Sequence, residues 1–202
     1  VGELGYEINC SSVEHARLRK ILLEAGKASH PYTWMPASFG LLIDNPAANW
    51  CFRSDPEPGT HNREIPVPRG KVLGGSSAIN AMVYIRGHKW DYDHWAELGN
   101  DGWSFADVLP YFKRSENNSE FNGAFHGQNG PLHVNKLRTD NPAHEIFLQA
   151  AREAQFRIRD DFNGEEQEGL GLYQLTQHNG ERWSAARAYV HPHMRTRANL
   201  RV

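Results

Sequence analysis

The sequence predicts an α/β fold with mostly helical additions, and three observations lead there. Ile21-Leu22-Leu23 is a short apolar run ending in Glu24-Ala25-Gly26, the pattern of a buried parallel strand that closes on an acid and turns on a glycine. Three later segments place apolar residues at helical spacing behind capping residues. Before those helices lies Gly74-Gly75-Ser76-Ser77, a turn whose backbone can approach a ligand closely because glycine carries no side chain to hold it off.

Taken in order, Ser11 to Lys20 reads as a short helix capped by Ser11 or Ser12, with Val13, Ala16, Leu18 and Leu22 at roughly helical spacing. The strand at Ile21–Leu23 follows. From Lys27 to Pro68 the chain is irregular and holds Pro31, Pro36, Pro46, Pro56, Pro58, Pro66 and Pro68. Tyr32, Trp34, Phe39, Trp50 and Phe52 in the same stretch must pack on something, which makes it an ordered excursion and not a linker. Helices are expected over Asp91–Leu98, with Trp95 and Leu98 inward, and over Ser104–Ser115, with Val108, Leu109 and Phe112 inward; Gly99 and Gly102 separate them. Asn117–Gly130 reads as a polar surface loop and Pro131–Val134 as a short strand. In Pro142–Ala154, Asn141 caps, Pro142 takes the first position, and Ile146, Phe147, Ala150, Ala151 and Ala154 form the expected buried stripe. Asp160–Gly171 reads as a solvated acidic loop, Leu172–Gln177 as a strand, Ser184–Val190 as a helix and Leu200–Val202 as the start of a strand.

Composition narrows the function classes. A chain of 202 residues can bury roughly 70% of its unfolded surface, so its core needs no staples. Cys10 and Cys51 form neither a C-x-x-C motif nor a disulfide framework, and a reducing, cytoplasmic setting is expected. A formal charge of −2 and a pI near 6.6 give no basic footprint for nucleic acid. With mean hydropathy of −0.67 and no apolar run near ~18 residues, no transmembrane segment is expected. Val1-Gly2-Glu3-Leu4-Gly5 shows no basic region followed by an apolar core, so no secretory signal is legible.

If Ser76 or Ser77 caps a helix running through Ile79 to Tyr84, its dipole and outward N–H groups make an anion site suited to a pyrophosphate. The competing reading is a plain tight turn with a helix after it. Other patterns are weaker. His191-Pro192-His193 lacks a third metal ligand, and Gly75-Ser76-Ser77-Ala78 lacks the second glycine of a hydrolase elbow. Glu165, Glu166 and Glu168 beside Asp160 and Asp161 lack the ligand order of a calcium loop.

The longer run containing this turn, Gly70-Lys71, Leu73-Gly74-Gly75-Ser76-Ser77, Ile79-Asn80, Tyr84, Gly87 and Asp93, resembles the signature of the glucose-methanol-choline (GMC) flavin oxidoreductases. Gly99-Asn100-Asp101-Gly102-Trp103-Ser104, Asp161-Phe162-Asn163-Gly164 and Arg182-Trp183-Ser184-Ala185-Ala186-Arg187-Ala188-Tyr189 are similar to stretches of the bacterial choline dehydrogenase-like and alcohol dehydrogenase members, in the same order. The resemblance implies a partial FAD-binding, Rossmann-like domain. Residues 1–202 would be the N-terminal part of such an enzyme, with FAD-binding segments at about 1–30 and 66–93 and substrate-side additions after 94.

Residue by residue, Glu24 resembles the acid that holds the adenosine ribose, since a carboxylate can accept two ribose hydroxyls; a solvated acid at a strand end is the alternative. Gly74, Gly75 and Ser76 resemble the turn along the FAD pyrophosphate, and Asn80, Ala81, Met82 and Val83 the residues passing the flavin ring. Some family members carry a flavin-linked His where this chain has Ile79, so non-covalent FAD is implied. The implied reaction is hydride transfer from the CH–OH group of a choline-like or aliphatic alcohol to flavin N5. Its implied partners are a small-molecule alcohol, an electron acceptor or a completing C-terminal half, with peripheral association to the inner membrane as an alternative to a purely cytoplasmic place.

Two departures qualify the match. Gly2 and Gly5 are followed by Tyr6-Glu7-Ile8-Asn9 where a third phosphate-loop glycine should fall, and none of the eleven histidines matches the family's catalytic base. The competing reading is therefore a non-catalytic remnant that binds no FAD.

Overall fold

A computed structural model describes residues 28–200, which divide into two compact units. The helix and strand expected at 11–23, Glu24, and the last two residues of the strand expected at Leu200–Val202 lie outside the described residues.

One unit holds residues 28–82 and 179–200 of the described chain. Its prolines set its local structure. Pro31, Pro36 and Pro58 each begin a 3-10 turn, where the missing N–H costs nothing and the fixed φ is already helical. A short helix, α1 (Phe39–Leu42), follows the second turn, and strands β1 (Phe52–Arg53) and β2 (Pro66–Val67) pair antiparallel, Phe52 opposite Val67. Asn49 ties the excursion together: its Oδ1 accepts from Cys51 N at 3.1 Å and Arg69 N at 2.8 Å, and its Nδ2 donates to the Ile43 carbonyl. Leu42, Ala48, Val72, Ala78 and Ile79 form the core beneath these turns. The excursion is built from turns and two very short strands, but Tyr32, Trp34, Phe39, Trp50 and Phe52 are all exposed, so the burial expected of its aromatics is not seen among the described residues.

The other unit holds residues 83–178. Strand β3 (Val83–Tyr84) leads to α2 (Lys89–Glu97), α3 (Phe105–Ser115), β4 (Glu116–Asn118), β5 (Leu132–Lys136), α4 (Pro142–Glu153) and β6 (Gln174–Leu175). The sheet order is β3-β6-β5-β4, with β4 and β5 parallel and the other pairs antiparallel. Leu132 and Val134 alternate inward along β5, the period-two burial of a strand covered on one face.

Capping explains the helix starts. His88 Nδ1 accepts from Trp90 N at 3.1 Å while Asp91 Oδ2 accepts from His88 N at 2.7 Å, a reciprocal box that starts α2 two residues before the sequence expectation. Ser104 Oγ accepts from Asp107 N at 3.3 Å, and Asn141 Oδ1 accepts from Ala143 N at 3.0 Å ahead of Pro142. Helices α2 and α3 meet through Tyr92, whose ring lies 6.2 Å from that of Phe105 and 5.7 Å from that of Phe112. The buried face of α4 differs from the expected stripe. Leu148 and Ala151 are buried, whereas Ile146 and Phe147 are 68% and 57% exposed.

Candidate functional site

The glycine turn and its backing lie within one unit. Gly70 approaches the turn so closely that a Cβ there would fall 2.1 Å from Gly75 O, and Gly70 N donates to Ser76 Oγ at 3.1 Å. Gly74 at φ +96° and Gly75 at φ +55° sit in the left-handed region that glycine enters without steric cost. Around Gly74, a Cβ would meet Ala186 Cβ at 3.2 Å and Ser184 Oγ at 3.4 Å; around Gly75 it would meet none of the described residues within 4 Å. Among the described residues the turn therefore has a packed back and an open front.

The helix expected through Ile79 to Tyr84 does not form. Gly75–Ala78 is a single 3-10 turn, and Asn80 Oδ1 takes the Met82 N–H at 3.0 Å, giving the backbone a side-chain partner in place of a helical carbonyl. Met82 then adopts φ +64° and the chain leaves into β3. Among the described residues the turn thus leads into no helix whose dipole could face a ligand here. Asn80 and Ala81 are exposed, Met82 is buried, and Val83 belongs to the unit of residues 83–178. Ile79 is buried in the core cluster.

The back of the turn is the segment Arg182–Ala188, part of the family-like stretch Arg182–Tyr189 and not among the residues expected in the site. Ser77 Oγ accepts from Ala185 N at 2.9 Å and donates to Gly74 O at 2.5 Å. Arg182 is completely buried, and its Nη1 donates to Asn80 O at 2.6 Å, Asn80 Oδ1 at 2.9 Å and Ser77 O at 3.3 Å. Its Nε and Nη2 have no hydrogen-bond partner and no carboxylate pairs with it among the described residues. Burial lowers its pKa to about 10, which still leaves it charged at neutral pH. Beyond it, the Arg187 guanidinium lies 4.2 Å from the Trp34 ring and 4.5 Å from the Trp183 ring, its Nη1 2.6 Å from Glu181 Oε2. His191, one of the considered metal pair, stacks on Trp34 at 5.9 Å.

The second concentration of chemistry lies within the unit of residues 83–178. Glu116, fully buried, accepts from Arg86 Nη2 at 2.9 Å, from Gly127 N at 2.8 Å and from Asn118 Nδ2 at 2.9 Å, with His126 Nδ1 at 3.1 Å. The other nitrogen of His126 lies 2.8 Å from Asp161 Oδ2. Burial would lower the pKa of His126, but the hydrogen bonds to Asp161 and Glu116 and their charges push it up to about 9. Burial would likewise raise Glu116 and Asp161; the His126 bond leads the contributions that hold both below the usual carboxylate range. Two cations face two carboxylates, so this cluster is balanced.

The cluster corrects two expectations. The 117–130 segment is not all surface loop, since Asn118 and His126 are buried, and the 160–171 loop is not merely solvated, since Asp161 is paired and Phe162 and Asn163 are buried. Asn163 Oδ1 accepts from Arg86 N at 2.8 Å and its Nδ2 donates to Tyr84 O at 3.2 Å. A cavity of about 510 Å³ adjoins it, lined by Arg86, Lys89, Asp93, Phe105, Phe125 and Phe162 among others. Among the described residues no group of three or more His, Cys, Asp or Glu could hold a metal, and no helix is long and apolar enough to cross a membrane.

The described residues thus form a mixed α/β chain with a glycine turn backed by a buried arginine. The GMC oxidoreductase N-terminal model matches residues 10–202, and the chain belongs to that family. It is 47% identical over 190 residues to an oxygen-dependent choline dehydrogenase of Brucella anthropi, covering 94% of this chain and 34% of that protein. Among solved structures, pyridoxine 4-oxidase from Mesorbium loti matches 88% of this chain and 35% of its own with a TM-score of 0.81 at 30% identity. An FAD-dependent oxidoreductase from Chaetomium thermophilum matches 82% and 30% with a TM-score of 0.71, also at 30% identity. The chain spans about a third of the length of these relatives. The family is one of oxidoreductases, and FAD is the cofactor that the family and its FAD-dependent structural relative support.

Proposed function

We propose that this chain forms the non-covalent FAD bed of an oxidoreductase acting on the CH–OH group of a choline-like or aliphatic alcohol. The observation that carries the reading is the asymmetry of the glycine turn, packed behind Gly74 and, among the described residues, empty in front of Gly75. Such a surface receives a flat or extended ligand against bare backbone, and FAD fits it in kind. Gly74, Gly75 and Ser76 would hold the diphosphate, and Asn80, Ala81, Met82 and Val83 would border the ring.

When bound, FAD supplies the hydride acceptor at N5. The chain's residues supply orientation. Asn80 is fixed through its Oδ1 by Met82 N and Arg182, and its Nδ2 has no acceptor among the described residues. Ile79 stands buried where the resemblance places a flavin-linking histidine, which supports a non-covalent cofactor. Abstraction of the hydroxyl proton requires an unprotonated base, and His126, protonated between two carboxylates, cannot fill that role. The Brucella choline dehydrogenase favours a choline-like alcohol among the candidate substrates.

The test is the visible spectrum of the purified chain after incubation with FAD and removal of free flavin by gel filtration. Retained flavin that acid precipitation releases into the supernatant supports the reading. A chain that retains none is the remnant described by the competing reading.

A further inference from the structure

Arg182 is the least compensated charge among the described residues. It is 0% exposed, three of its hydrogen bonds leave from one nitrogen, and all three reach neutral oxygens of Ser77 and Asn80. Two further nitrogens have no partner. The acid beside it in sequence, Glu181, is committed to Arg187. A buried guanidinium facing only carbonyl dipoles is costly, because a desolvated charge normally persists with a carboxylate at hand. The geometry accounts for where that cost is recovered. Nη1 grips both the main-chain and the side-chain oxygen of Asn80, so the carboxamide and the turn into Met82 are set by Arg182.

We propose that Arg182 is a positioning residue of the cofactor bed: it fixes the Asn80 carboxamide, and its buried charge is complemented by an anionic group of the bound cofactor. The inference rests on the FAD reading of the Gly74–Met82 turn. Two groups of one chemistry, the diphosphate of FAD and the anionic form of its reduced ring, could supply that charge.

The Asn80→Asp variant tests the charge without disturbing the buried side chain, because it sets a carboxylate at an exposed position within hydrogen-bond reach of Nη1. Asn80→Ala removes the carboxamide alone, and Arg182→Lys and Arg182→Met retain and remove the cation. FAD and ADP affinities are read by fluorescence or calorimetry, the flavin midpoint potential by reductive titration, and folding by circular dichroism. Expected are a tenfold or greater loss of affinity in Asn80→Asp beyond that of Asn80→Ala, with melting temperature maintained, and partial rescue in Arg182→Lys relative to Arg182→Met. Parallel loss of ADP affinity assigns the charge to the diphosphate. Oxidised-FAD affinity that is kept while the potential falls assigns it to the reduced ring. Should wild type bind FAD while Asn80→Asp and folded Arg182→Met bind and reduce it as wild type does, the Arg182 assignment is wrong. Arg182→Lys no better than Arg182→Met, with Asn80→Asp equal to Asn80→Ala, likewise reduces Arg182 to packing. A wild-type chain that retains no FAD overturns instead the cofactor reading beneath it.

Discussion

Raising the pH through His126 should dismantle the buried cluster in a defined window. The imidazole is lifted from its ordinary 6.5 to about 9 because both ring nitrogens meet carboxylates. At about 1.4 kcal/mol per pH unit, a rise of that size corresponds to about 3 kcal/mol of stability. The sign follows from proton binding. The folded chain holds its His126 proton more tightly than the unfolded chain, so the full contribution is present below pH 6.5, declines as the pH rises, and is gone above about 9. Glu116 and Asp161 act at the opposite end, since their folded values lie below the ordinary ones: their contribution is present at neutral pH and is lost on acidification. His133 and His191 are both lowered, by burial first, so their titration falls below the window in which His126 acts.

The assay is urea denaturation of the wild-type chain and of His126→Gln across pH 6 to 10, with the imidazole C2 proton followed by NMR. The stability difference between the two should shrink by about 3 kcal/mol between pH 6.5 and 9. A difference that stays flat over this range, or a C2 proton that titrates at its ordinary value, would refute the reasoning.

Three further outcomes follow from the same geometry. Glu116→Gln leaves Arg86 and His126 as buried cations with one fewer counter-charge and should cost about 3 to 5 kcal/mol in urea denaturation at pH 7. Gly75→Ala places a methyl that meets none of the described residues, at φ +55°, so it should cost only about 1 kcal/mol of stability while lowering FAD affinity about tenfold in equilibrium titration, whereas Gly70→Ala meets Gly75 O and should cost about 3 kcal/mol in stability itself. On α4, Ile146→Ser and Phe147→Ser should stay within about 0.5 kcal/mol of wild type, while Leu148→Ala should cost about 2 kcal/mol or more by thermal melting.

Much of the fold was legible where the signal is local. Ser104 and Asn141 cap the helices they were expected to cap, and the proline-rich excursion is ordered by turns that begin at its prolines. Failures came where a partner distant in sequence decides. The stripe of α4 was misread because Ile146 and Phe147 satisfy the helical period as well as Leu148 does, and only tertiary packing selects among them. The polar loops at 117–130 and 160–171 looked solvated because nothing in either segment announces that Asp161 reaches His126 across 35 residues. The helix after the glycine turn failed for a local reason that could have been seen: an Asn two residues before Met82 offers the backbone an alternative partner. The cradle at Arg182–Ala188 was present in the sequence as a quoted match, but its contact with Ser77 and Asn80 spans more than a hundred residues.

The two buried arginines separate what folding requires from what a ligand requires. Arg86 and Arg182 are 7% and 0% exposed, and each has an unpartnered Nε, so burial alone does not distinguish them. Arg86 has a carboxylate at 2.9 Å inside a cluster whose charges cancel. Arg182 has carbonyl and carboxamide oxygens only, which can orient a guanidinium but cannot neutralise it. Because Arg182 has no counter-charge among the described residues, replacing it with an apolar side chain of similar volume should cost the fold little, whereas the same change at Arg86 should be severely destabilising through the abandoned Glu116. Arg182→Met is therefore expected to lose cofactor affinity without a matching loss of stability, and Arg86→Met to lose stability first. Urea denaturation of both variants beside FAD titration checks this directly: equal destabilisation by the two would mean that Arg182, like Arg86, is held for the fold.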